Sequence, residues 1–251
     1  MRRYALRDDQ WDRVQAFLPG RAGHVGGTAK DNRLFVEAVL YRYRAGIPWR
    51  DLPTRFGDWK NTHRRYRRWC ESGVFERLFK ALAEDGDNEY MMLDATIVRA
   101  HQHSAGAPKK GGACQAIGRS RGGLTTKIHA IVDALGNPVA ISLTPGQASD
   151  FSQAAPLLDA VEPQALIADK AYDGDALIDA LKERDIVPVI PSKANRLIAR
   201  DTDFALYRER NLVERFFNKM KGFRAIATRY DKLASTFLAA VYLVSAVIWL
   251  N

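Results

Sequence analysis

Residues 89–100 read EYMMLDATIVRA, an apolar run leaning towards β-branched side chains, with one acid, Asp94, in its middle. Such a run reads as a strand, and it marks a change of pattern. Upstream, residues 6–85 read as helical. Asp8 or Asp9 can cap a helix holding Trp11, Val14, Phe17 and Leu18 and stopped by Pro19-Gly20. A second helix is expected from about Asp31 to Ala45, with Gly46 as its terminator. Residues 51–73, DLPTRFGDWKNTHRRYRRWCESG, read as a short helix, a Gly57-Asp58 turn and a longer helix from Trp59, in the manner of a helix-turn-helix.

Downstream comes a Gly-rich basic loop, residues 101–123, then LTTKIHAIVDALGNPVAISLTPG (124–146), which alternates in strand fashion around a turn at Gly136-Asn137-Pro138. FSQAAPLLDAVE (151–162) is helical, ALIADKAYDGD (165–175) is a strand entering a turn, and residues 175–185 are helical again. IVPVIPS (186–192) is a short strand, residues 192–206 form a basic loop, and helix continues to the C-terminus with a break at Gly222. This order is α/β. Two domains are expected: a helical one over 1–87 and an α/β one over 88–251.

With 47% apolar and 10% aromatic residues the chain can bury a sizeable core, which argues against disorder. The net charge of +9 is unevenly spread. Residues 1–75 hold 16 Lys/Arg against 8 Asp/Glu, whereas residues 76–251 hold 22 against 21. A basic block of this kind favours a polyanion by counterion release and steering. In the helix from Trp59, the side chains Trp59, His63, Tyr66, Trp69 and Cys70 recur at helical spacing as a buried stripe. Lys60, Arg64, Arg67 and Arg68 share another face, suited to groove entry and phosphate contact, or to plain solvation. Two distant cysteines, Cys70 and Cys114, suit a reducing compartment. The N-terminus lacks a signal-peptide run, and Phe237 to Leu250 is shorter than the roughly 20 residues a bilayer needs. A soluble, intracellular protein is expected.

Three carboxylates are candidates to carry chemistry. Asp94 lies amid apolar residues, where an acid is costly unless paired or metal-bound. Asp169 ends an apolar strand, the place where α/β folds put ligands. Both positions also suit an edge or capping acid. The third is Glu214, in YRERNLVERFFNKMKGF (207–223). At about 100° per residue, Arg210 lies about 40° and Lys221 about 20° to one side of Glu214, with Tyr207 about 20° to the other. A carboxylate flanked by two cations and a phenol suits a metal ion beside a phosphate; a salt-bridged surface face has the same pattern, because Arg210 and Glu214 pair at i, i+4.

The spacing Tyr207-x2-Arg210-x3-Glu214-x6-Lys221 resembles the Tyr-Arg-Glu-Lys signature of DDE transposases in the IS four and IS five insertion-sequence groups. LDATIVRAHQHSAGA (93–107) resembles the family's first-aspartate segment and ADKAYDGDAL (168–177) its second, with Ala171 where glycine is commoner. GIPWRDLPTRFGDWKNTHRRYRRW (46–69) is similar to the DNA-binding segment of the IS five group. The resemblance implies an RNase H-like core, with Asp94, Asp169 and Glu214 holding Mg2+ (Mn2+ can substitute). It implies cleavage at terminal inverted repeats, transfer of the freed 3′-hydroxyl to target DNA, and a homodimer or larger assembly on DNA. Tyr207, Arg210 and Lys221 would then contact phosphates, and a cytoplasmic, nucleoid-associated location is expected. Two alternatives share these residues: a metal-dependent nuclease without strand transfer, and a transposase-derived protein that only binds DNA.

Asp150 either lines the site or caps the next helix, and Asp173 and Asp175 read as helix-start acids. His101 and His103 lack a matching Cys/His pair, which argues against zinc. Their place after the first strand points to DNA contact, as for the loop cations Lys109, Lys110, Arg119 and Arg121. No GxxxxGK[ST] motif is present.

Overall fold

In the computed structural model, residues 5–21, 23, 27–105 and 115–251 are described; Lys109, Lys110 and Cys114 lie outside them. In chain order the helices and strands begin with α1 (Asp8–Val14), α2 (Asn32–Ala45), α3 (Trp59–Glu71) and α4 (Val74–Ala83). Next come β1 (Tyr90–Ala100), β2 (Gly118–Ser120), β3 (Gly123–Val132), β4 (Pro138–Pro145), α5 (Ala154–Leu158), β5 (Ala165–Ala168), α6 (Asp175–Glu183) and β6 (Val187–Val189). The chain ends with α7 (Phe204–Tyr207), α8 (Asn211–Lys221), α9 (Arg224–Ala227), the two-residue β7 (Thr228–Arg229) and α10 (Ala234–Trp249).

Two compact units result. The first comprises Met1–Leu82, His101–Ala113 and Met220–Asn251; the second comprises Ala83–Ala100 and Cys114–Lys219. The single division expected at residue 87 therefore omits a return of the chain: the C-terminal segment joins the N-terminal helices. The reason is the composition of α10. Most of its side chains are buried, including Phe237, Val241 and Val244, so one covered face is not enough for it. Within this unit α10 packs on α3 and α2, and Phe79 stacks on Tyr242 with centroids 5.1 Å apart. The Tyr43 hydroxyl donates to Asp231 at 2.9 Å and lies 2.8 Å from the Tyr66 hydroxyl. Arg7 and Gln10 of the first turn reach the last two residues, Leu250 and Asn251.

Asp31 caps α2 by accepting from the Leu34 amide at 2.8 Å, and Gly46 ends it at φ 71°. A Cβ at Gly46 would stand 2.8 Å from that of Arg224, so glycine is needed for space as well as for the left-handed backbone. The stretch before α3 forms two 3-10 turns, Trp49–Asp51 and Thr54–Phe56, instead of a short α-helix. Pro48 and Pro53 stand at their N-caps. The buried face of α3 is Thr62, Tyr66 and Trp69; Trp59, His63 and Cys70 are half-buried. The chain after Gly222 is not one helix: residues 228–233 are non-helical and separate α9 from α10.

The second unit is built on a sheet. β1 pairs antiparallel with β3, and β3 with β4; β1 pairs parallel with β5, and β5 with β6. Short β2 also lies along β3. The order β4-β3-β1-β5-β6, three antiparallel strands followed by two parallel ones, is RNase H-like. All four residues of β5 are buried, as expected of a parallel strand covered on both faces. Leu157, Leu177, Ile178 and Leu181 from α5 and α6 pack with Leu93, Ile131 and Leu166 of the sheet. Among the described residues, no helix is long and apolar enough to cross a membrane.

His129 on β3 is fully buried, with Nε2 2.7 Å from the Thr144 hydroxyl. Burial lowers its pKa to about 4, with nearby Asp150 raising and Lys127 lowering it. An unfolded histidine takes up a proton near pH 6.5, so between there and pH 4 the unfolded chain binds a proton that the folded one does not. Acidification across that window should cost about 3 kcal/mol of stability. The check is a series of urea melts from pH 7 to 4, in which His129→Gln should flatten the slope.

Candidate active site

The sheet register brings the two aspartates together. Leu93 on β1 stands opposite Ala168 on parallel β5, so the next residue along each strand is Asp94 and Asp169. Asp94 is still within β1, where its carboxylate accepts from the Ala95 amide at 2.8 Å. Asp169 lies just past the end of β5 and caps the 3-10 turn Lys170–Tyr172, accepting from the Ala171 amide at 2.8 Å.

Glu214 comes from α8, whose apolar side (Val213, Phe216 and Phe217) is buried while Glu214 and Arg215 face outward. The helix carrying the four-residue signature is not uniform. Tyr207 ends α7, Arg208–Arg210 is a 3-10 turn, and α8 begins at Asn211. The even 100° spacing expected from sequence thus applies only within α8, because the 3-10 turn is wound more tightly. The turn still delivers Arg210 to the carboxylates. Its Nη1 donates to Asp94 Oδ2 at 2.8 Å, and its Nη2 donates to Glu214 Oε1.

One guanidinium therefore bridges two carboxylates, with Asp169 close enough to influence both Asp94 and Arg210 electrostatically. Burial pushes the Asp94 carboxyl above its usual range; the Ala95 amide and Arg210 pull it down, and Asp169 and Glu214 push it further up. Burial lowers the Arg210 pKa, but Asp94, Glu214, Tyr207 and Asp169 outweigh it, and the net shift is upward. Lys221, the last residue of α8, belongs to the first unit, and burial lowers its pKa. Among the described residues, no three His, Cys, Asp or Glu side chains are gathered closely enough to hold a metal ion as they stand. The chemistry of the donors nevertheless fits one. Three carboxylates offer hard oxygen ligands suited to Mg2+ or Mn2+, and one arginine leaves their charge incompletely balanced.

The chain matches the family model "Transposase DDE domain" over residues 86–249. It belongs to the DDE transposases. A second model, "Putative transposase of IS4/5 family", matches residues 6–79 of the transposase. An "Uncharacterized protein y4sN" of Sinorhizobium fredii is 51% identical over 108 residues, 43% of this chain and 86% of that protein. A "Putative transposase for insertion sequence element IS6501" of Brucella ovis is 41% identical over 133 residues, 51% of this chain and all of that protein. Among solved structures, the piggyBac transposase synaptic complex with hairpin DNA aligns at TM-score 0.43 and 12% identity. That alignment covers 75% of this transposase and about half (48%) of the other chain. The Mos1 mariner paired-end complex with Mn gives TM-score 0.29 at 12% identity, over 96% and 83% of the two chains. Likenesses this low leave the fold to the strand order and the family model. The family uses a divalent metal ion.

The structure also gives partners to acids that the sequence left as helix-start residues or, for Asp150, as either a cap or a site residue. Asp150 opens a 3-10 turn and pairs with Lys127 at 2.8 Å. Asp173 is no helix-start acid: it is buried and bonded to Arg196, Arg200 and the Lys193 amide. The loop cations within residues 192–200 were the available signal, since such a cluster needs a counter-ion, but nothing local identifies Asp173 as that partner. Asp175 stays exposed at the start of α6. His101 and His103 stack edge-to-face at 4.5 Å, with Tyr230 4.8 Å from His101. Arg119 and Arg121 are exposed.

Proposed function

We propose that this transposase cuts DNA at the terminal inverted repeats of an insertion sequence and joins the freed end to target DNA. Asp94, Asp169 and Glu214 would be its metal-binding and catalytic carboxylates. The observation that carries the reading is the Arg210 bridge, which ties Asp94 on the first strand to Glu214 on α8, beside Asp169. A divalent ion held there, Mg2+ or Mn2+, would make a bound water more acidic and offset charge on the scissile phosphate. Water attacks the phosphodiester at the element's end and breaks its bond to the 3′-oxygen. The 3′-hydroxyl so released attacks a target phosphodiester, forming one P–O bond as another breaks. Arg210 meets two carboxylates; were those carboxylates to hold an ion, its guanidinium would be available to a phosphate, with Tyr207 and Lys221 as further contacts.

On α3, Lys60, Arg64, Arg67 and Arg68 are all exposed, and among the described residues only Arg67 is tied by an ion pair, to Glu71 at 2.9 Å. This face fits duplex DNA. Replacing Arg64 and Arg67 with alanine should weaken binding to the element's end about tenfold and lower the salt slope by about 2. The helix content should not change, and unaltered binding would remove α3 from the interface. A homodimer or larger assembly on DNA and a cytoplasmic, nucleoid-associated location complete the proposal.

The test is a labelled duplex carrying the element's end, incubated with Mg2+ or Mn2+ and an unlabelled target. The reading requires metal-dependent nicking at the end and a longer labelled joined product. Cutting without joining would make the protein a nuclease. Binding without cutting would leave only a DNA-binding protein.

A further inference from the structure

Tyr172 closes the turn that Asp169 caps, its amide donating to the Asp169 carbonyl at 3.0 Å. The side chain is 1% exposed, and its buried hydroxyl has no hydrogen-bond partner among the described residues. An unpaired buried hydroxyl costs about 1–3 kcal/mol and is rare in native proteins, so a partner in another state of the site is the physical expectation. The surroundings supply acceptors. The 3-10 turn that begins at Asp150 packs against the Lys170–Tyr172 turn, and the contact has no slack: a Cβ at Gly174 would meet the Phe151 ring at 2.6 Å. Asp150 is itself held, because Lys127 Nζ lies 2.8 Å from its carboxylate and donates to the Ala148 carbonyl at 2.7 Å. Burial, then Asp150, Asp94 and Asp169 in that order, raise the Tyr172 pKa far above the ordinary phenol, so it remains a donor.

We propose that Tyr172 is a positioning residue: its hydroxyl donates to the Asp94–Asp169 carboxylate pair when the site closes on a divalent ion, with Asp150, fixed by Lys127, keeping the phenol aimed. The inference rests on the assignment of Asp94 and Asp169 as metal-binding carboxylates. Among the described residues no three His, Cys, Asp or Glu side chains are grouped to hold an ion as they stand, so an ion would have to draw the carboxylates together. The hydroxyl finds its acceptor when they converge. A phenol that bonds the outer oxygen of a ligating carboxylate fixes its orientation, and such outer partners typically change metal affinity 10–100-fold.

Tyr172→Phe removes one oxygen atom and keeps the ring, so the test uses the full chain with Mn2+ as probe. Free Mn2+ is titrated by electron paramagnetic resonance, and melting is followed in metal-free buffer. The expected result is Mn2+ binding weakened about tenfold, with a melting temperature equal to or above wild type, since an unpaired hydroxyl has been removed from the interior. Asp150→Asn should weaken Mn2+ binding in the same direction, Asp150→Glu should restore part of it, and the double variant should bind no worse than Tyr172→Phe alone. Equal Mn2+ binding by wild type and Tyr172→Phe overturns the inference and leaves the carboxylate assignment standing. If wild type binds no Mn2+, the assignment falls and the inference falls with it.

Discussion

Glu214→Gln should abolish cleavage at the element's end, by on the order of a thousandfold or more, while DNA binding persists. Electrostatic groups acting on a transition-state charge are commonly worth 10²–10³ or more in rate, and a metal-binding carboxylate also fixes the ion that provides such a charge. The substitution keeps the shape of the side chain and removes its charge. Because the Glu214 side chain is 53% exposed, its ion pair with Arg210 contributes little to folding; exposed i, i+4 pairs give about 0.3–0.5 kcal/mol. Melting should therefore be close to wild type. Arg210 keeps its bond to Asp94, and one less negative charge near the phosphate should leave binding equal or slightly tighter. A gel-shift and a nicking assay on the same duplex read the two effects separately. If the variant cuts as fast as wild type, Glu214 is not the third carboxylate.

Much of this candidate site's layout can be read from residue order because its parts obey local rules. A strand with a lone acid, a second strand ending in an acid, and an amphipathic segment with cations at helical steps each declare themselves within about ten residues. Asp31 and Gly46 bound α2 by capping chemistry that is equally local. What escaped was either non-local or a matter of fine backbone geometry. The return of α10 to the N-terminal helices depends on which surface covers an all-round apolar helix, and its own sequence does not name that surface. The 3-10 turn at Arg208–Arg210 has helical dihedrals close to those of an α-helix, with Arg208 at φ −62° and ψ −27°. Periodicity cannot distinguish the two over three residues. The pairing of Asp150 with Lys127 spans a hairpin, and that of Asp173 with Arg196 and Arg200 spans 23 to 27 residues. An acid ahead of a helix looks like a cap until its distant partners are seen.

Asp173 supplies the second large effect, on stability instead of chemistry. Its carboxylate is fully buried and receives Arg196, Arg200 and the Lys193 amide, while Lys193 Nζ donates to its carbonyl at 2.8 Å. Burial alone would raise its pKa, but the two arginines and the amide more than offset this and hold it well below the usual carboxylate range. Removing one partner of a buried pair typically costs 3–5 kcal/mol. Here the guanidinium groups keep about a quarter of their surface in water and can turn outward, so Asp173→Asn should cost about 2–3 kcal/mol. The lowered pKa sets the pH dependence. The clamp is fully present above about pH 4, where the unfolded carboxyl is also ionised, and is lost as pH falls towards the lower folded pKa. Asp173→Asn should remove that acid limb from the stability profile. It should also free the segment that carries Leu197 and Ile198, both exposed, so that trypsin cuts after Arg196 and Arg200 about tenfold faster under native conditions. Asp175→Asn is the control: Asp175 meets the same Arg196 from an exposed position (75% of its side chain), and its loss should cost under about 0.5 kcal/mol. Equal losses from the two substitutions would mean that the clamp is ordinary surface pairing and that burial of Asp173 contributes nothing to holding the loop.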